Sequence, residues 1–249
     1  MLFSHSKSTT NHPNVIVEIK PMNKVTSTKF LGIEIDSKLT WKNHVTHIEK
    51  KISSSLFMIR KIRNTINEKT AFLLYDSIVL SHLSYCCIIW ENTYKTSLRH
   101  LNSLQKQCIK ICFYPKQISS SSMLFSLSNK LRIEDISKMQ TAVLVFKFFN
   151  TPKTIPSQIF QLIKKSNDIH QHSTRFTSQF NLYQHSCNTN IRQTTFKIFG
   201  PNLWNSLSIN IRVEKSISSF KNNYKKYLQI ISKCLIKLSL RSSTKFNLI

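Results

Sequence analysis

From residue 43 onward the apolar residues of this chain recur with the period of a helix. Val45, Ile48, Ile52, Leu56 and Ile59 form one stripe and predict a helix from about Asn43 to Arg63, with Lys50 and Lys61 on the opposite side. Asn67 is a good capping residue, and Glu68 follows it in the first turn of a second helix carrying Phe72, Leu73, Leu74, Ile78 and Val79. The run from Leu80 to Trp90 is apolar on several sides and is expected near the centre of the core. A third helix, Thr96 to Phe113, sets Leu98, Leu101, Leu104, Cys108 and Ile111 against Arg99, Lys106 and Lys110. A fourth, Glu134 to Asn150, contains Ala142 to Phe149 and must be largely buried. The last starts near Ser216, with Ile217, Phe220, Tyr224, Leu228 and Ile231 on one side. Lys215, Lys226, Lys233 and Lys237 lie opposite.

Elsewhere the period shortens or vanishes. Ile33 and Ile35 alternate with Glu34 and Asp36, as in a half-buried strand. Gly32 is one of only two glycines, and a scarce glycine inside a strand suggests a bulge or a close backbone approach. Residues 1–29 read as a strand, a loop around Pro13, a second strand from Val15 to Ile19 and a turn near Pro21. Glycine and proline are then almost absent until Pro115, which favours consecutive helices. The serines 119–122 are a linker or the cap of a short helix. Residues 151–200 read as extended loops and short strands, and Gly200 to Asn205 as a turn followed by an aromatic anchor, Trp204. The expected fold is a mainly α bundle with a small N-terminal β element and a loop-rich segment before the last helix.

Charge adds a partner to this picture. Lys and Arg number 36 against 11 Asp and Glu, a formal net charge of +25. Such an excess repels itself in a compact fold unless a polyanion neutralises it. The chain is rich in Lys, Asn, Ile and Ser, but a coding bias of that kind would raise Glu and Asp as well. Residues 1–135 carry 19 basic and 9 acidic residues, and residues 136–249 carry 17 and 2. Basic sides therefore recur on several helices whose apolar sides pack together, as backbone-tracking nucleic-acid binding requires. Nucleic acid is the leading partner and an acidic membrane surface the second. No apolar run of 18 residues predicts a membrane span. The N-terminal residues lack the apolar region of a secretory signal, and six cysteines are too few for a disulfide scaffold. A reduced intracellular setting, nuclear or cytoplasmic, is expected.

Most enzyme chemistries find no support. Two-metal polymerase chemistry needs paired carboxylates, and there is no Asp-Asp pair. The adjacent acids Glu134 and Asp135 sit at a helix start, where they favour the dipole. Cys108 and Cys112 could share a metal, but they lie on the apolar side with Leu101 and Leu104 and read as small core residues. His170 and His172 are near only in sequence, and Cys86 and Cys87 read as core. Two glycines cannot build a phosphate-cradling loop, and no Gly-x-Ser-x-Gly occurs. Trp41, Tyr94 and Tyr114 flank helix ends and could stack on bases.

Several segments, in order, resemble a known family. They begin with Phe30-Leu31-Gly32-Ile33-Glu34-Ile35-Asp36 leading to Trp41. Next come Leu73 to Tyr85, then Trp90-Glu91-Asn92, then Leu101 to Lys110. Ser173-Thr174-Arg175, Phe199 to Leu207 and Ser219-Phe220-Lys221 complete the set. Together they are similar to the end of the palm, the thumb and the post-thumb region of jockey-like non-LTR (LINE-type) retrotransposon reverse transcriptases. Glu91 stands where that family usually has glycine.

The resemblance implies three units. Residues 1–41 would be a remnant of palm strands, 42–150 a helical thumb-like domain, and 151–249 a basic post-thumb region. It implies an RNA-directed DNA polymerase as the parent, with its fingers, its catalytic aspartates and its endonuclease outside this sequence. The chain is therefore expected to be a truncated or mis-started reading frame. It is expected to be inactive alone and to need no cofactor, since the family's Mg²⁺ is held by residues absent here. Phe30, Leu31 and Gly32 would lie near the primer end. Lys50, Lys61, Arg99, Lys106, Lys110, Lys215, Lys226 and Lys233 are the candidate contacts to a template–primer duplex of RNA, DNA or both. The upstream polymerase half is a further possible partner, and no membrane is expected. Two other readings stay open: a free-standing basic helical nucleic-acid-binding protein, and a non-functional retroelement remnant.

Overall fold

In a computed structural model of the chain, the structure describes residues 25–91, 93–114, 116, 120–169 and 180–245, and two short strands before them. Strands β1 (Ile16–Val17) and β2 (Lys20–Pro21) pair antiparallel. Strands β3 (Ser27–Phe30) and β4 (Ile33–Asp36) form a second antiparallel hairpin, with Phe30 opposite Ile33. The remainder is mainly helical, as the apolar spacing predicts.

The long helices fall close to their expected bounds. Helix α1 is Lys42–Ile62, and its stripe from Val45 to Ile59 is buried. Helix α2 is Glu68–Leu74, and the Asn67 side chain accepts the Thr70 N–H at 2.8 Å. Its Leu73 is exposed, so only part of the expected apolar set turns inward. The chain continues as a π-helical turn, Tyr75–Leu80, and a short α3, Ser81–Ser84.

The apolar run that follows is not one element. Cys86 adopts φ 49°, so helix α4 (Cys87–Trp90) starts afresh. Leu83, Cys87 and Trp90 are buried, whereas Tyr85 and Ile89 are exposed. The break is closed by the Trp90 indole N–H, which donates to the Tyr85 carbonyl at 2.9 Å, and by Gln140, which donates to the Ser84 carbonyl at 2.8 Å. Helix α5 is Lys95–Cys112, with Leu98, Leu101, Leu104 and Cys108 buried. Helix α6 (Ser121–Ser128) starts within the serine run, and α7 spans Ile133–Asn150.

Beyond Asn150 come short helices: α8 (Ser157–Phe160), α9 (Asn190–Gln193), α10 (Phe196–Asn205) and α11 (Ile209–Arg212). One isolated antiparallel bridge joins Lys165 to Leu182. The sequence 200–205 is helix, not a turn, with Pro201 inside α10. The lost hydrogen bond is offset by burial of Ile198, Pro201 and Trp204, and Gly200 lets the Phe196 ring approach closely. Helix α12 spans Ile217–Lys245, and its side chains beyond residue 231 lie outside the described residues.

Two apolar clusters result. The first joins α1, α2, α4 and α5 to the start of α7 through Ile133 and Ile136. The second joins the rest of α7 (Ala142, Val145, Phe146, Phe148) to α10, α11 and α12. Helix α7 is thus common to both. Its first N–H, that of Ile133, is accepted by the fully buried Gln105 side chain at 3.2 Å. The same amide donates to the Tyr75 hydroxyl and the Leu131 carbonyl, each at 3.0 Å, so both of its donors and its oxygen are engaged.

Helix α1 ends on a buried cation. The Arg63 guanidinium donates to the carbonyls of Ile66 (2.7 Å), Ile111 (3.1 Å), Cys112 (3.1 Å) and Tyr114 (2.6 Å). Those of Ile111 and Cys112 belong to the last turn of α5, where helix carbonyls lack intrahelical partners and a positive charge is favoured. Arg63→Met is therefore expected to lower unfolding stability by about 2–4 kcal/mol, and Arg63→Lys to restore only part of it. Urea unfolding checks this; a loss below about 0.5 kcal/mol would show that solvent serves these carbonyls as well.

Candidate nucleic-acid interface

Helices α1 and α5 run parallel and level with each other. Near their starts, His100 Nδ1 lies 3.3 Å from the Glu49 carboxylate. At their ends, Arg63 reaches Ile111 and Cys112. Partners on the two helices are thus offset by about 50 residues at both ends. Lys50 is thereby level with Arg99, and Lys61 with Lys110. Each pair is separated along its helix by eleven residues, about 16 Å of rise. All four are exposed, as is Lys106. Helix α5 contains no acidic residue, and the one carboxylate of α1 is Glu49. The sequence periodicity finds both rows; their level arrangement follows from the Arg63 contacts, which no spacing rule indicates.

The hairpin tip is built differently from expectation. Leu31 and Gly32 are the two turn residues between β3 and β4, at φ 46° and 80°, so Gly32 is not in a bulge. Both positive φ values give the turn type that matches strand twist, which Gly tolerates and Leu resists. Leu31 is 73% exposed and Phe30 63%. The Tyr85 hydroxyl, from the break between α3 and α4, donates to the Leu31 carbonyl at 2.7 Å and ties the tip to the bundle.

The hairpin is fixed to α1 at its other end by Asp36. Its carboxylate accepts the N–H groups of Lys38 (3.1 Å), Thr40 (3.0 Å) and Trp41 (2.9 Å) and the Thr40 hydroxyl (3.1 Å). Burial pushes this carboxyl up, but those bonds outweigh it and hold it below the usual carboxylate value. The Glu34 N–H donates to Nδ1 of the buried His44 at 3.3 Å, and the His44 ring meets Trp90 edge-on. Asp36 lies within the expected strand, and its role is legible only as the start of an Asx-type turn before Thr40.

The remaining candidates disperse. Lys215 precedes α12 and Lys226 lies on it; both are exposed, on elements of the second cluster. The side chain of Lys233 lies outside the described residues, as do Lys237, Cys234, His170, His172 and the Ser173-Thr174-Arg175 motif. Tyr94 and Tyr114, at the two ends of α5, are exposed, whereas Trp41 is half-buried against the first cluster. Cys87, Cys108 and Cys112 are buried, and burial pushes each thiol up to about 12. Cys86 is only half-buried. Glu91 sits near Glu134 and Asp135; burial, which outweighs the opposing effects of Ser137 and Lys138 and is aided by those carboxylates, pushes it up to about 7. Among the described residues no three His, Cys, Asp or Glu side chains converge on a metal position. Among them, too, no helix is long and apolar enough to cross a membrane.

No family model matches the chain, and no solved structure does. Over 102 residues it is 22% identical to the probable RNA-directed DNA polymerase from transposon X-element of Drosophila melanogaster. That stretch is 40% of this chain and 11% of that protein. The likeness supports a relationship of the reverse-transcriptase kind.

The His44 contact predicts a pH dependence. Burial first, then the positive charges of His47 and Lys51, lower its pKa below 6.5, against the raising effect of Glu34. The folded state therefore prefers neutral His44. Its contribution is complete above pH 6.5 and is lost as the pH falls below that value. Glu91 titrates with the opposite sign, so the comparison must be with a variant. Between about pH 7.5 and about pH 5.5 the native chain should lose stability relative to His44→Gln, whose amide oxygen can still accept the Glu34 N–H. Parallel pH profiles in urea unfolding would contradict this.

Proposed function

We propose that this chain is the duplex-gripping part of an RNA-directed DNA polymerase of the retrotransposon kind. It would hold a template–primer duplex through its phosphates and perform no polymerase chemistry by itself. The observation that carries the reading is the pair of level, exposed basic rows on α1 and α5, with Lys50 level with Arg99 and Lys61 level with Lys110. Rows of this kind neutralise phosphates without reading bases, which suits an enzyme that must move along any sequence. The excess of positive charge over the whole chain and the X-element likeness support the same reading.

In this reading α1 to α5 act as a thumb, and the hairpin tip lies beside the primer end. Leu31 is held in a conformation that costs free energy and is exposed, a combination that favours a contact role over a packing role. Lys215, Lys226 and Lys233 would extend the basic surface along the post-thumb region. Met58 and Ile62 stand exposed at the end of α1, to one side of the Lys50–Lys61 row. They offer an apolar surface that the palm of such a polymerase would cover.

Binding to an RNA–DNA hybrid should weaken linearly in log salt, with a slope of about −4 to −5 for the five cations. Lys50→Ala with Lys61→Ala should reduce the slope by roughly 2. Fluorescence anisotropy at several salt concentrations checks both, and affinity indifferent to salt would refute the grip. Leu31→Asn should raise stability by roughly 0.5–1 kcal/mol while removing any preference for a recessed 3′ end. An unchanged preference would deny the tip its role.

A further inference from the structure

A second surface lies on α7, away from the interface just described. A groove of about 660 Å³, open along one side, runs between the Tyr75–Ser84 segment, α7 and α12. Its floor is a stripe of α7: Ile136, Met139, Gln140, Val143, Leu144 and Lys147. Those positions follow the i, i+3, i+4, i+7 spacing of a helix–helix seam over three turns, about 16 Å. Helix α7 is apolar on its other sides too, where the two clusters cover it. On this side Met139, Val143 and Leu144 are only half-buried. A helix apolar all round is built to be covered all round.

The rim decides what covers it. Phe220, Tyr224 and Leu228 of α12 are buried in the second cluster. Lys221 and Lys225 follow the first two by one residue and are turned toward the groove. Lys130 and Lys147, the lysine that ends the α7 stripe, complete the rim. The one carboxylate there, Asp76, is already held by Lys130 at 2.7 and 2.5 Å. Lys147, Lys221 and Lys225 therefore have no acidic counterpart in the lining. Burial, and next the charge of Lys130, disfavour the protonated form of Lys225. An incoming anion would reverse that effect.

We propose that this groove docks an acidic amphipathic helix of a partner protein. Its apolar side would lie on the α7 stripe, and its carboxylates would meet Lys147, Lys221 and Lys225. Nucleic acid fits less well, because the lining holds no aromatic ring for a base and an aliphatic floor gains nothing from a sugar–phosphate backbone. The open side would leave a lipid chain wet, whereas a helix returns its own polar side to solvent. The inference stands apart from the duplex grip, since it uses none of those residues.

The test is a labelled synthetic peptide of roughly fourteen residues, with leucine at seam spacing and glutamate on the flanks. Anisotropy compares it with a twin in which every glutamate is lysine. The acidic peptide should bind at least about tenfold more tightly than its twin. Lys221→Glu with Lys225→Glu should remove at least about tenfold of that affinity. Lys50→Glu with Lys61→Glu should leave it unchanged. Equal binding of the two peptides, no saturation up to about 1 mM, or indifference to the α12 variant would overturn the proposal. It would also be overturned if the α12 variant lost more affinity for an RNA–DNA hybrid than the α1 variant, because the groove would then be a nucleic-acid surface.

Discussion

The buried guanidinium of Arg63 fixes the geometry on which the basic interface depends. It has no carboxylate partner among the described contacts; its donors are taken by carbonyls at the end of α5 and in the adjoining turns. Desolvating a cation is costly, and four accepting carbonyls, two of them in the last turn of a helix, are among the few arrangements that offset it. The consequence is geometric as well as energetic. Helix α1 must end where α5 ends, and the two must run parallel. Two rows of cations spaced by periodicity alone thereby become level rows.

Hydrogen-bonding side chains serve the same purpose elsewhere in the fold. Gln105 joins α5, the π-helical turn and the start of α7 with every hydrogen-bonding atom of its amide engaged. Asp36 joins the hairpin to α1. Tyr85 anchors the hairpin tip from a backbone break that Gln140 and Trp90 stabilise. Apolar burial supplies most of the driving force, but it is non-directional. These few side chains select one register for helices that could otherwise slide.

Where a single helix carried a clean stripe, the sequence was legible. The bounds of α1, α5 and α7 and the outward lysines on α1 and α5 follow from spacing. Gly32 reads as a flaw within a strand because a two-residue turn of Leu and Gly lacks the usual Asn-Gly signal. Residues 200–205 read as a turn because Gly and Pro are local breakers, whereas the burial of Trp204 that holds them in a helix is a tertiary effect. The Leu80 to Trp90 run hid its break, since Cys86 carries no mark of a left-handed conformation. The lysine-rimmed groove was illegible for a related reason. Lys130, Lys147, Lys221 and Lys225 lie far apart in the chain and meet only through the packing of α7 and α12.

Lysine acylation read by mass spectrometry, with and without an RNA–DNA hybrid bound, tests the duplex grip most directly. The account predicts that Lys50, Lys61, Lys106 and Lys110 lose reactivity together on binding while Lys221 and Lys225 keep theirs. Protection that spares α1 and α5, or that falls evenly on every exposed lysine, would contradict it.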